Sequence, residues 1–288
     1  MDYYISYTRT PKTNVDYPTQ TAPDNFVYTL NNTATVSIVD APAIPTANML
    51  WWFKADAIVG LSSGATVTSW VDSATTPHNL DVQTGGGSAP TYQTGQINGL
   101  PVVRVNASNV GIMQFPNFSP KVEDQSFTHY WVGSYNNVQS GNGLLVYTYT
   151  TSSSDVIRLA ISFDIGGSNG IGWEYNVSGG NTDVFIAAGT SGVQLLTYVF
   201  DKSAGNGKIY RDGTQIGSTS TNVGGVGAGN GFDWGQDDID FFNIQGGSQT
   251  VVGDHAEFIG YSTAHDDTTR MQIENSLKSK YGIGIEEG

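Results

Sequence analysis

The stretch Ala256–Ile285, AEFIGYSTAHDDTTRMQIENSLKSKYGIGI, decides how the rest of the chain is read. It opens with a strand-like run, Ala256–Tyr261. Ser262, Thr263, Asp266 and Asp267 then offer side-chain oxygens to the unpaired N–H groups of a helix start. Ile273, Leu277 and Tyr281 recur at four-residue spacing and make one apolar stripe. Lys278 and Lys280 fall in the last turn, where cations suit the helix dipole, and Gly282 can take the left-handed stop. The pattern predicts a helix over 266–281, a lone helix closing a chain otherwise written for β-structure.

Working outward, strands and turns alternate from Met49 onward. Met49–Lys54, Thr66–Val71, Val102–Asn106, Thr128–Tyr135, Leu144–Thr150, Val156–Phe163, Gly170–Tyr175, Val184–Ala188, Gln194–Phe200, Gly207–Arg211, Asp238–Ile244 and Ala256–Tyr261 read as strands. Glycine-rich turns such as GGGS (85–88), SGNG (140–143) and GGVGAGNG (224–231) separate them. Short strands punctuated in this way predict an antiparallel two-sheet sandwich. Lys208–Gly217 is a hairpin in which Asp212-Gly213 supplies a type I′ turn matched to strand twist.

Composition supports the sandwich and excludes several partners. Of 288 residues, 13% are charged and 38% hydrophobic, with 36 Gly, which is neither coiled coil nor disordered chain. A net charge of −14 with only 12 Lys and Arg repels nucleic-acid phosphate, so no nucleic-acid partner is expected. No apolar run is long enough for a membrane-spanning helix. The absence of Cys removes disulfides, thiolate metal sites and Cys nucleophiles together. Met1-Asp-Tyr-Tyr-Ile carries neither the basic start nor the apolar stretch of a signal peptide. The texture looks extracellular while no export signal is read, a pairing that suits a virion protein made in a host cytoplasm.

Residues 1–48 differ from the rest of the chain. Tyr3, Tyr4, Ile5 and Tyr7 form a strand-like run, and Pro11, Pro18 and Pro23 break the polar stretch behind it. Phe26–Leu30, with Phe26 and Tyr28, and Ala34–Val39 read as two strands around Asn31-Asn32. Ala41–Thr46 is a stiff linker. The segment is too small for its own core, so it is expected either to add strands to its own domain or to anchor the chain to a neighbour. The division expected is an arm at 1–48, a sandwich domain at 49–285 and a tail at 286–288.

Four blocks, in order, carry a family resemblance. They are Leu50-Trp-Trp-Phe-Lys-Ala-Asp-Ala, Val67-Thr-Ser-Trp-Val-Asp72 with Asn98–Val105 after it, the hairpin block Leu195–Gly217, and the closing strand and helix. Together they resemble the laminin-G-like, concanavalin A-like lectin/glucanase jelly roll, in a subgroup common in phage and bacterial surface proteins. The resemblance implies an all-β jelly roll with one short C-terminal helix, whose stripe packs near the first strand, Met49–Lys54. It says little about function, because this fold hosts lectins, glycanases and structural modules.

Glycanases flank the scissile bond with two carboxylates, and the laminarinase-type members of this fold set them on one strand as Glu-x-Asp-x-x-Glu. The pattern is absent here, and no enzyme is expected. Glu174 beside Trp173 would suit a sugar subsite, but no second carboxylate is set opposite it by sequence. His78, His129, His255 and His265 lack metal-ligand spacing and read as loop or half-buried residues. The run Asp233-Trp-Gly-Gln-Asp237-Asp238-Ile-Asp240 is the candidate metal site. Laminin-G-like domains hold Ca²⁺ near a sheet rim, and Ca²⁺ takes about six to eight oxygens. Its ordinary alternative is turn capping and solubility. Trp173 and Trp234, next to glycine-rich loops and acids, are the candidates for stacking on a sugar.

The residues support two main readings of function. One is a non-enzymatic virion surface protein, a capsid decoration or short fibre or adhesin, attached to other virion proteins through residues 1–48 and facing a host surface glycan. The other is a carbohydrate-binding or adhesion module of an extracellular bacterial surface protein. A homo-oligomer suits either, although no trimer seam is encoded. A glycan hydrolase is the third and weakest, lacking its carboxylate pair.

Overall fold

The structure, a computed structural model, describes residues 3–8, 35–40, 43–75, 77–82, 89–106, 113–115, 122–138, 143–149, 156–165, 168–177, 180–186, 192–218, 232–234, 239–242 and 251–284. The chain divides into two compact units, Met1–Ala43 and Ile44–Gly288. In the first, Tyr3–Thr8 pairs antiparallel with Thr35–Asp40, Tyr3 opposite Asp40 and Thr8 opposite Thr35. Tyr3, Tyr4, Ile5 and Tyr7 thus lie on a paired strand, while Phe26 and Tyr28 lie outside the described residues.

The second unit is an all-β sandwich of two antiparallel sheets with one C-terminal helix. The first sheet runs in the order Thr214–Ser218, Asn206–Arg211, Gly192–Asp201, Phe127–Val138, Val251–Tyr261, Leu100–Val105, Thr91–Ile97, and Met49–Lys54 also pairs with Val251–Tyr261. The second runs Gly180–Ile186, Ser168–Val177, Val156–Ile165, Gly143–Tyr149, Ile239–Phe241, Met113–Phe115, Leu80–Val82, Ser69–Trp70. Phe232–Trp234 pairs with Val122–Gln125 in a separate two-stranded sheet.

Between the two sheets lies an aromatic-rich core that includes Trp51, Phe53, Trp70, Phe115, Trp131, Phe241 and Phe258. A second cluster fills the other face of the first sheet. There Tyr130, Val132, Leu195, Ile259 and Tyr261 meet Ile273, Leu277 and Tyr281 of the helix. Strands such as Gly192–Asp201 are therefore buried on both faces from Gln194 to Phe200, which is why they read as unbroken apolar runs rather than alternating ones.

The helix spans Asp267–Tyr281. The Asp266 carboxylate accepts the Thr269 N–H at 2.8 Å, and Gly282 closes the last turn at φ 66°, a backbone state open to glycine without strain. Met49 and Trp52 of the first strand pack against the helix cluster, as the jelly-roll resemblance implied. Ile44 packs there too, and Tyr261 donates its hydroxyl to the Pro45 carbonyl at 2.7 Å. The stretch read as a stiff linker is thus held to the sandwich from Ile44 on. Asp212 and Gly213 take φ 52° and 86°, the type I′ turn expected.

The Thr66–Val71 run departs from its reading, with only Ser69–Trp70 in a ladder. A carboxylate organises the segment instead. Asp72, 4% exposed, accepts the backbone N–H groups of Trp52, Ala74 and His78 at 2.8, 2.9 and 2.9 Å. The Val-x-x-Trp-x-Asp block is thus a clamp: Val67 and Trp70 enter the core while Asp72 ties the following loop to the first strand.

Candidate functional site

The outer face of the first sheet is closed. Besides its apolar contacts, the helix is fastened there by Glu257, 1% exposed. Its carboxylate accepts from Trp52 Nε1 at 2.5 Å, Tyr281 Oη at 2.8 Å and Lys280 Nζ at 2.9 Å. Lys280 also pairs with Asp56 at 3.0 Å. Burial alone would lower the Lys280 pKa, but the carboxylates of Glu257 and Asp56 outweigh it and hold the ammonium above its usual range. Arg270 bridges Asp267 and Glu274 and lies over the Tyr210 ring at 3.8 Å.

The outer face of the second sheet is different in kind. Side chains alternate between the faces of a strand. Met113 and Phe115 enter the core, so Gln114 faces away from it, and Ile239 and Phe241 likewise set Asp240 outward. Leu80 and Val82 do the same for Asp81. The register aligns these three. Asp81 is opposite Gln114, and Gln114 is opposite Asp240. The row continues through Tyr147, Arg158, Glu174 and Asp183, each the Cα partner of the one before. Seven strands thus set seven polar-group-bearing residues in one line, about 29 Å long at roughly 4.8 Å per strand.

Two members of the row are unusual for residues facing away from a sandwich core. Gln114 is 6% exposed and Asp240 0%, while Asp81 is exposed. Gln114 Nε2 finds no hydrogen-bond partner among the described residues. A buried amide donor left unsatisfied costs about 1–3 kcal/mol.

The residues singled out from sequence are spread over the fold. Glu174 is in the row, with Asp183 opposite it on one side and Arg158 on the other. Asp183 is the cross-strand carboxylate that sequence alone did not set there. Trp173 stands one residue away, in register with Leu159, Val146, Phe241 and Met113, the row whose Val146, Phe241 and Met113 are core residues. Asp233 and Trp234 lie in the two-stranded sheet, Asp240 in the second sheet, and Asp237 and Asp238 outside the described residues. No group of three or more His, Asp or Glu among the described residues is placed to share a metal ion.

Two of the four histidines lie deeper than their sequence surroundings suggested, while His78 and His265 are half-buried as expected. His129 and His255 are buried, and burial pushes both pKa values down to about 3. His255 Nδ1 accepts from Trp131 Nε1 at 3.1 Å. His265 is lowered to about 4, again chiefly by burial, and its Nδ1 lies 2.8 Å from the Tyr130 hydroxyl. They are core and helix-junction residues.

No protein-family model and no curated protein sequence matches the chain. Solved structures do match. Domain 4 of AbnA, a GH43 extracellular arabinanase from Geobacillus stearothermophilus, in complex with arabinotriose, aligns with a TM-score of 0.54 at 14% identity, over 81% of this chain and 99% of that one. The binding domain of botulinum neurotoxin serotype D/C VPI 5993 aligns at 0.52 and 14%, over 80% of this chain and 52% of that one. The binding domain of botulinum neurotoxin DC in complex with SialylT aligns at 0.52 and 13%, over 81% and 52%. The chain spans about half the length of these neurotoxin domains. The likeness is one of fold: the chain has the concanavalin A-like jelly roll.

Proposed function

We propose that this chain is a non-enzymatic carbohydrate-binding module that lays a glycan along the polar row of its second sheet. What supports the reading is the row itself, Asp81, Gln114, Asp240, Tyr147, Arg158, Glu174 and Asp183 in register across seven strands. The outer face of the first sheet is filled by the helix. That a domain of this fold was solved with arabinotriose bound supports the class of ligand.

The test is an oligosaccharide array followed by calorimetry on the full chain. Binding of at least one oligosaccharide is expected, weakened about tenfold or more by Glu174→Gln with little change in melting temperature. No release of reducing ends is expected. An array blank for both neutral and acidic sugars overturns the reading, and cleavage abolished by Glu174→Gln overturns its non-enzymatic part.

The separate unit Met1–Ala43 supports a second element of function, attachment. A two-stranded sheet is marginal by itself in water, so such a unit gains stability by docking. In this reading it carries the module to other virion proteins, and the location is a virion surface; its alternative is an extracellular or cell-envelope location. Deleting residues 1–43 should leave glycan binding intact and abolish co-sedimentation with particles. Unchanged co-sedimentation would remove the attachment role.

A further inference from the structure

Asn98-Gly99 joins Thr91–Ile97 to Leu100–Val105 as a two-residue turn, with Ile97 opposite Leu100. Both turn residues take positive φ, 47° and 74°, the type I′ geometry that favours Asn-Gly. The Asn98 side chain also serves an element far away in sequence. Its Nδ2 donates to the Lys280 carbonyl at 2.9 Å, one of the last four carbonyls of the helix, which find no partner within the helix itself. A Cβ on Gly282 would lie 3.3 Å from Asn98 Cγ, so the amide sits close over the helix stop. A carbonyl only accepts, so the contact needs an amide nitrogen. A carboxylate there would set acceptor against acceptor at the negative end of the helix dipole.

Asn-Gly is also open to cyclisation, since no Cβ hinders the glycine nitrogen. The Gly99 nitrogen, deprotonated by hydroxide, bonds to Asn98 Cγ. The bond from Cγ to Nδ2 breaks, its electron pair takes a proton from water, and ammonia leaves. Water then opens the succinimide to aspartate or isoaspartate. Asn98 is exposed, so water reaches it. The leaving nitrogen is the same atom that holds Lys280. While the helix end is docked that bond opposes the reaction, and local opening of the helix end removes the opposition. The acid formed does not donate, so a helix end that has opened and lost the amide has lost its cap for good.

We propose that Asn98 is a deamidation site gated by the closing helix, a one-way latch whose product loosens the helix C-terminus from the first sheet. The test is peptide-mapping mass spectrometry of the full chain during incubation at mildly alkaline pH, with aspartate and isoaspartate resolved at Asn98. Leu277→Ala and, as a milder variant that keeps the ring, Tyr281→Phe should both speed deamidation there, Leu277→Ala by about tenfold or more. Asn206-Gly207 is the internal control. It lies at the far end of its strand from Tyr210, which meets the helix through Arg270, and it should keep its rate. Acceleration of both sites alike, or of neither, overturns the gating. Asn98→Asp stands for the product, and Asn98→Gly removes the donor without adding charge; both keep a residue open to positive φ. Amide hydrogen exchange over 278–283 should quicken in both, and more in Asn98→Asp. Protection in Asn98→Asp equal to that of the unsubstituted chain overturns the latch.

Discussion

Trp51 stacks on His129, with ring centroids 5.0 Å apart and planes at 25°. The two residues are on different strands, and the strand between them carries Gly260, the Cα partner of both. A Cβ on Gly260 would fall inside the Trp51 indole. The bare backbone of the central strand is therefore what lets the indole cross it and reach the imidazole. Trp51 is fully buried among Phe115, Phe241 and Phe258. Gly260→Ala should cost about 3 kcal/mol by overpacking, measured by urea unfolding. A loss under about 0.5 kcal/mol would show that the indole can shift.

Acid should weaken the fold through three histidines. His129 and His255 have pKa values near 3, and His265 near 4, against about 6.5 in an unfolded chain. The folded values are depressed, so below pH 6.5 the unfolded state binds more protons and stability falls with pH. It is present in full above about 6.5 and is lost on the way down toward 3 to 4. His129 and His255 each contribute a loss of about 2 kcal/mol by pH 5, and the half-buried, partly solvated His265 less, while most carboxylates are still ionised. Thermal melts at pH 7, 6 and 5 should fall steadily, and His129→Phe should flatten the slope. A midpoint that stays constant from pH 7 to 5 would contradict the burial of these rings.

Much of this architecture is local enough to be read from residues in order. The closing helix carries its stripe, its cap and its stop within 16 positions of one another, and Asp212-Gly213 announces its own turn. Asp72 was visible only as a motif letter, since its three amide partners come from Trp52, Ala74 and His78 and depend on how the loop folds back. The polar row was not legible at all. Its seven residues come from seven strands whose spatial order differs from chain order, with Ile239–Phe241 inserted beside Gly143–Tyr149 and Met113–Phe115. Alternation announces that Asp81, Gln114 and Asp240 share a face type, but only the register shows that they share a line. The buried histidines were missed for a related reason: a strand covered on both faces gives no polar face against which an inward histidine would stand out.

The helix should act as a latch that separates apolar from polar contributions. Leu277 is 1% exposed in the cluster with Ile259 and Tyr261, and Leu277→Ala should cost about 2–5 kcal/mol, as should Ile273→Ala. Tyr281→Phe removes one of the three donors to the Glu257 carboxylate and keeps the ring, so about 2 kcal/mol is expected. Urea unfolding of each variant checks both figures. If Leu277→Ala cost less than about 0.5 kcal/mol, the stripe would not be part of the packed interface. Glycan binding should be unchanged in all three, because the helix and the polar row lie on the outer faces of different sheets.

Calcium should matter little to either stability or binding. Asp233 and Asp240 of the 233–240 run do not share one element: Asp233 lies on the strand paired with Val122–Gln125 in the small sheet, and Asp240 sits in the second sheet opposite Gln114 and Tyr147. Asp240 is moreover buried. A ligand that binds only the folded state raises the melting temperature with concentration. The midpoint in 5 mM calcium chloride should therefore match that in excess chelator to within about 1 °C, and calorimetric glycan affinity should be the same in both. A calcium-dependent rise in the midpoint that disappears in Asp240→Asn would return Asp240 to a metal site.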